Sequence, residues 1–415
     1  MAALGIATIN LAHFAIHYAM LIFPTAAIAL HGAWGMSYGE GLALATPAYV
    51  AFALGTLPAG WLGDRWGADR MMWVFLVGLG LALLATGLAE GPLAFSIGLA
   101  AVGLASSIYH PVATALIVRF ADRPGRALGF NGVFGNMGVA AAPLATAALV
   151  TGFGWRAAFL VPGVLVLLAA LGAALIGRGR PVFGEARTGA RKAAPVVAVA
   201  RADAVRVVAV VGVSALLGGL VFNGVTIALP KLFDERLGGL AAGILGVGAV
   251  SSLVFAVAAF TQIPAGRFID AYGAKPVLLA ATASQVVLLA VCATTSGIAN
   301  AIAALLLVVV VFGEIPITAW MIGRTVAHRW RSRVYAVEYL LSLGVSSAVV
   351  PVIAGLHERT GGMGDVFLLM AAAAAGVFAA AWALPAAVGT VRPRRLAQPA
   401  AAEAPAAPAS QAAPR

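Results

Sequence analysis

Charge is what this sequence most lacks. Asp, Glu, Lys and Arg make up 10% of its 415 residues, against 62% hydrophobic residues. A water-facing domain carries roughly 25% charged residues, so a soluble globular class is excluded and lipid is the natural solvent. No charged residue occurs in 1–39, 41–63, 71–89, 91–118, 127–155, 157–177, 207–230, 237–266, 276–313, 339–357 or 366–391. Each interval exceeds the roughly 18 residues that read as a membrane-spanning helix. The interval 276–313 holds two spans, with Thr295-Ser296-Gly297 as the turn between them. The expectation is an all-α membrane protein with twelve transmembrane helices. The apolar runs lack the two-residue alternation of a transmembrane β-barrel, which excludes that class.

Other absences narrow the reading. The single cysteine, Cys292, excludes an intrachain disulfide. No Lys or Arg precedes Arg65, so the first apolar stretch lacks the positive flank of a cleavable signal peptide. No GxxxxGK[ST] loop and no nucleophile-plus-base pair is found, which argues against ATP-driven transport within the chain and against an enzyme. The formal net charge of +11 does not indicate nucleic acid. Its distribution gives topology instead, since 22 of the 26 Lys and Arg fall in alternate loops and the tail. Positive loops stay cytoplasmic, so both termini and the central loop are expected on that side.

What is present is a repeat. At an offset of 206, HYAMLIFP (17–24) lies over NGVTIALP (223–230), and LPAGWLGDRWGADR (57–70) lies over IPAGRFIDAYGAKP (263–276). At offset 205, Pro111 and Arg119 match Pro316 and Arg324. Coincident Pro, Gly and Asp at one offset are far less easily met by chance than coincident Ala, Val and Leu. The division expected is a six-helix bundle at 1–177, a cytoplasmic loop at 178–206, a second bundle at 207–390, and a disordered Ala/Pro-rich tail at 391–415.

The loop after the second span, Gly60-Trp61-Leu62-Gly63-Asp64-Arg65-Trp66-Gly67-Ala68-Asp69-Arg70, resembles the signature of the major facilitator superfamily. Gly266-Arg267-Phe268-Ile269-Asp270-Ala271-Tyr272-Gly273 is its degenerate second copy. A second resemblance, to fosmidomycin-resistance-type exporters, rests on Ser106-Ser107-Ile108-Tyr109-His110-Pro111 and on Gly135-Asn136-Met137-Gly138 with Pro143. Pro143 is followed by Leu-Ala-Thr, so the glycine–proline pattern common among antiporters is incomplete. The superfamily resemblance implies two pseudo-symmetric bundles, alternating access, and a gate built from Gly60, Asp64, Arg65, Gly67, Arg119, Arg126, Gly266, Asp270 and Gly273. Physically, Gly60 permits close helix approach and Gly67 a tight turn. Asp64 can pair with Arg119 or Arg126.

Polar groups inside spans are few, and such groups usually face a cavity or a partner. The candidates for solute or proton binding are His13, His17, Tyr109, His110, Asn131, Asn136, Asn223, Glu314 and Trp320. His13 and His17 lie four apart and share a helix face. Glu314 is expected to oppose Tyr109 and His110 across the pseudo-twofold axis and to exchange protons as access alternates. Glu338 is expected to pair with Arg331 or Arg333, and His31, His328 and His357 to be solvated. The His13/His17 pair could also reach one metal ion, with Met20 nearby, but the site is assigned no metal.

These readings converge on a secondary transporter of a small neutral or anionic organic solute, because the first six spans carry no acidic residue in their interiors. Proton-coupled efflux ranks first. Proton symport of a carboxylate or metal-chelate ranks second, and a transporter-like membrane sensor third, since the short tail offers no signalling domain. The energy source expected is the proton gradient, with no cofactor. The expected setting is a bacterial inner membrane, as a monomer with solute, protons and lipid as its partners.

Overall fold

The computed structural model describes residues 2–120, 124–177, 182–183, 201–326 and 328–385. Among them, twelve helices are long and apolar enough to cross a membrane. They are α1 (Ala3–Leu30), α2 (Tyr38–Trp66), α3 (Ala68–Gly87), α4 (Pro92–Ile117), α5 (Ala127–Phe153), α6 (Ala157–Gly177), α7 (Ala202–Arg236), α8 (Gly243–Tyr272), α9 (Ala274–Thr294), α10 (Gly297–Thr325), α11 (Leu340–Thr360) and α12 (Gly364–Trp382). The turn expected near Thr295 is where α9 ends and α10 begins. The helix of α7 starts at Arg201, six residues earlier than the sequence placed its edge, because the charge of Arg201, Asp203 and Arg206 marks the lipid boundary and not the helix boundary. The Ala/Pro-rich tail lies outside the described residues.

The repeat is visible in the backbone. Gly67 joins α2 to α3 at φ +100°, and Gly273 joins α8 to α9 at φ +86°. Both are left-handed positions that an L side chain rarely adopts, so the two glycines fix one tight turn in each half. We call the side of the molecule that carries them the turn face.

Proline breaks two of the spans, and the breaks position polar groups. Proline has no N–H and its ring crowds the carbonyl four residues earlier. In α4, Pro111 therefore interrupts the helix at Ser107-Ile108, and a new helix starts at Tyr109. In α8, Pro264 follows a break at 259–261. There Ile263 N–H turns to the Phe260 carbonyl (3.2 Å). This leaves the Ala259 carbonyl free to accept from Asn136 of α5 at 3.2 Å. α7 carries a π-helical segment at Ser214–Gly218, just before Asn223.

Small residues let helices touch. A side chain on Gly135 of α5 would press on the His13 ring of α1 at about 2.7 Å, and one on Gly60 would meet Pro111 at 3.5 Å. The halves meet along α5 and α8, where Leu144 N–H donates to Ser252 Oγ at 2.9 Å.

Candidate functional site

Between the halves lies a cavity of about 100 Å³. From α1 it is lined by Ile16, His17, Met20 and Leu21, from α2 by Tyr49 and Phe52, and from α4 by His110. The other half supplies Phe222, Asn223 and Thr226 of α7, and Ser342 and Ser346 of α11. His17 and its repeat partner Asn223 thus face one space from opposite halves. No carboxylate is among the lining residues. In this state the volume is below the roughly 300–1,000 Å³ of a drug-sized site.

The wall on the first-half side is a polar network. His13 Nδ1 lies 2.7 Å from the Asn131 carbonyl, and His13 and His17 approach through their Nε2 atoms at 3.1 Å. Nδ1–H of His13 must donate to the carbonyl, so its Nε2 accepts the proton of His17 Nε2. His110 closes the group, with one ligand nitrogen of each histidine within 4.8 Å of the others. Tyr109 stacks on the His13 ring at 4.9 Å. Its hydroxyl donates to the Ile9 carbonyl at 2.9 Å and accepts from Asn131 Nδ2 at 3.0 Å, and Asn131 also donates to Asn10. Adjacent residues of a helix point about 100° apart, so Tyr109 turns into the bundle and His110 towards the cavity.

The remaining candidates fall elsewhere. Asn131 is a buried strut behind the histidines, and Asn136 sits at the seam between the halves. Asn223 donates to the Gly219 carbonyl at 2.8 Å as well as lining the cavity. Glu314 does not line the cavity opposite His110. It accepts from Gln285 of α9 at 2.6 Å and lies beside Gly218 of α7, within its own half. The same pseudo-symmetry that pairs it with Tyr109 turns both residues inwards. Trp320 is also away from the cavity. One turn before Arg324 at the end of α10, it reaches the turn face, where its indole N–H donates to Asp270 at 3.3 Å.

On that face Asp64 and Arg65 are exposed, and Arg65 lies over the Trp61 ring at 5.6 Å. Gly266 has open space around it, unlike Gly60. The side chains of Arg119, Arg126, Arg331 and Arg333, the expected partners of Asp64 and Glu338, lie outside the described set, as do those of His31 and His328. Glu338 accepts from Thr318 at 3.3 Å.

The sequence missed a latch on the opposite face. Glu358, at the end of α11, accepts from Ser37 Oγ (2.5 Å) and Gly39 N–H (3.0 Å) of the other half. His357 is not solvated. Its Nε2 bonds Glu235 at 2.8 Å and its ring meets the Tyr38 ring. Lys231 lies over Tyr38 at 5.3 Å. The missed cavity residues Ser342 and Ser346 had one faint signal, two hydroxyls at i, i+4 on one helix face.

A family model described as Major Facilitator Superfamily matches residues 9–313. The chain belongs to the Major Facilitator Superfamily. As a member of that superfamily it is a multi-pass membrane transporter and not an enzyme. Over 138 residues it is 28% identical to the Multidrug resistance protein MdtG of Escherichia coli O9:H4 (strain HS), covering 33% of this chain and 34% of that one. Over 136 residues it is 27% identical to the Gallate transporter of Pseudomonas putida, covering 32% and 30%. The matches span about a third of the lengths of these curated relatives. A solved structure of a D-xylose-proton symporter superposes with a TM-score of 0.70 at 14% identity, over 93% of this chain and 98% of that one. At that identity the likeness concerns the superfamily fold.

Proposed function

We propose that this transporter exports a small neutral or anionic organic solute by alternating access, in exchange for protons. The observation that carries the reading is the cavity lining. Imidazole, amide and hydroxyl groups converge there with Tyr49, Phe52 and Phe222, and no carboxylate is among the described lining residues to attract a cation. The resemblance of part of the chain to a multidrug resistance protein supports outward transport. The turn face is assigned to the cytoplasm of an inner membrane, since 22 of the 26 Lys and Arg belong to its loops, the central loop and the tail. The latch through Glu358 then closes the outer side, and the halves rock about α5 and α8. The chain works as a monomer with no cofactor, drawing on the proton gradient.

Proton symport inwards is the second reading, supported by the partial likeness to a gallate transporter. A solute screen in membrane vesicles of both orientations separates the two. Export predicts accumulation in inside-out vesicles energised acid inside. Accumulation confined to right-side-out vesicles energised acid outside would establish symport.

A further inference from the structure

We propose that His13, His17 and His110 form a three-imidazole site for one divalent transition-metal ion of the zinc class, with a fourth position open to the cavity. The proposal deepens the transport reading, because an anionic group of the solute would take that position. The sequence offered only a pair of histidines on α1. The tertiary structure adds His110 from α4, and three ligand nitrogens gather within 4.8 Å of one another. In a tetrahedral zinc site with Zn–N of about 2.0–2.1 Å, neighbouring nitrogens stand about 3.3 Å apart. His13 and His17 already stand at 3.1 Å, and the set closes when the His110 nitrogen moves in from within 4.8 Å to the tetrahedral spacing.

The surroundings also fit. Metal-bound histidines usually give their second ring N–H to a carbonyl or carboxylate, which fixes the tautomer. His13 does so at the Asn131 carbonyl, which leaves Nε2 facing His17 Nε2. Tyr109 stacks on His13 and is itself tied to Ile9 and Asn131, so the ring is held on several sides. Gly135 leaves the space that the ring occupies. For the ion to bind, His17 moves its proton from Nε2 to Nδ1, a tautomer change that alters no net charge. His17 and His110 line the cavity, so the open position faces the solute path. Three neutral imidazoles leave a divalent ion with its full charge, and no carboxylate is among the described lining residues to balance it. An anion entering from the cavity is the natural fourth ligand.

The test uses full-length protein, purified without a polyhistidine tag and titrated with Co²⁺ with no gradient present. The expected result is one ion per chain, visible absorption of tetrahedral type, competition by Zn²⁺, and a band shift when azide is added. His17→Ala and His110→Ala should each abolish the tetrahedral spectrum. Gly135→Ala, which keeps all three ligands but displaces His13, should weaken binding about tenfold and serves if a histidine variant fails to fold. No stoichiometric Co²⁺, an octahedral spectrum, or binding unchanged by His110→Ala and Gly135→Ala would overturn the site. Absence of an azide shift would overturn the open position. Because transport is read separately in energised vesicles, loss of the metal site leaves the export reading standing, and the reverse also holds.

Discussion

Asn136 donates its side-chain amide to the Ala259 carbonyl across the two halves of the transporter, at 3.2 Å. The acceptor exists because the break before Pro264 withdraws the helical donor from that carbonyl. A break required inside one helix is thus satisfied by the other half, and the bond forms only while α5 and α8 are in register.

Asn136→Ala should therefore loosen the seam. An unsatisfied buried carbonyl costs about 1–3 kcal/mol. The variant should insert normally but melt at a lower temperature in detergent, as followed by tryptophan fluorescence. Asn136→Gln, if its amide reaches the same carbonyl, should recover part of the loss. An unchanged melting temperature in Asn136→Ala would mean that water replaces the amide.

The outer latch should control access. Glu358 holds Ser37 and Gly39 of the opposite half, while Glu235 holds His357 and the Met363 N–H. Glu358→Ala removes the hydrogen bonds to Ser37 and Gly39 and keeps the contacts of Tyr38 with His357 and Lys231 and the Glu235 contacts within the second half. A cysteine placed at Ile28, which lines a pocket on this face with Ser37, Tyr38, Lys231 and His357, in a Cys292→Ser background should then label about fivefold faster or more with a membrane-impermeant maleimide. Equal labelling rates would show that Glu358 is not what holds this face shut.

Coupling should reside at Glu314. It is a carboxylate within α10, hydrogen-bonded to Gln285 and beside the π-helical segment of α7. A charge at such depth costs at least about 2.5 kcal/mol, so its protonation should change with access to water. Glu314→Gln should still exchange labelled solute for unlabelled solute but lose accumulation driven by a pH gradient. Accumulation at the wild-type level would move the coupling site away from α10.

The sequence by itself determined the class of this protein. Charge-free intervals set twelve spans because lipid tolerates few unpaired charges, and the 206-residue offset set two halves because Pro, Gly and Asp have fixed backbone roles. Gly67 and Gly273 were legible as turns, since a left-handed backbone favours glycine. The resemblance carried by the loop after α2 already pointed to the superfamily. The depth and direction of single polar residues were a different matter. Within an all-apolar helix every face reads alike, so sequence could not say that Tyr109 turns inwards while His110 turns to the cavity. It could not say that Glu314 binds Gln285 within its own half, or that Trp320 reaches Asp270 on the turn face. Nor could it bring His110 of α4 to the His13/His17 pair of α1, or Glu358 to Ser37 across 321 residues. Those placements follow from proline breaks and glycine contacts between helices, and only the packed tertiary structure decides which helix each one meets.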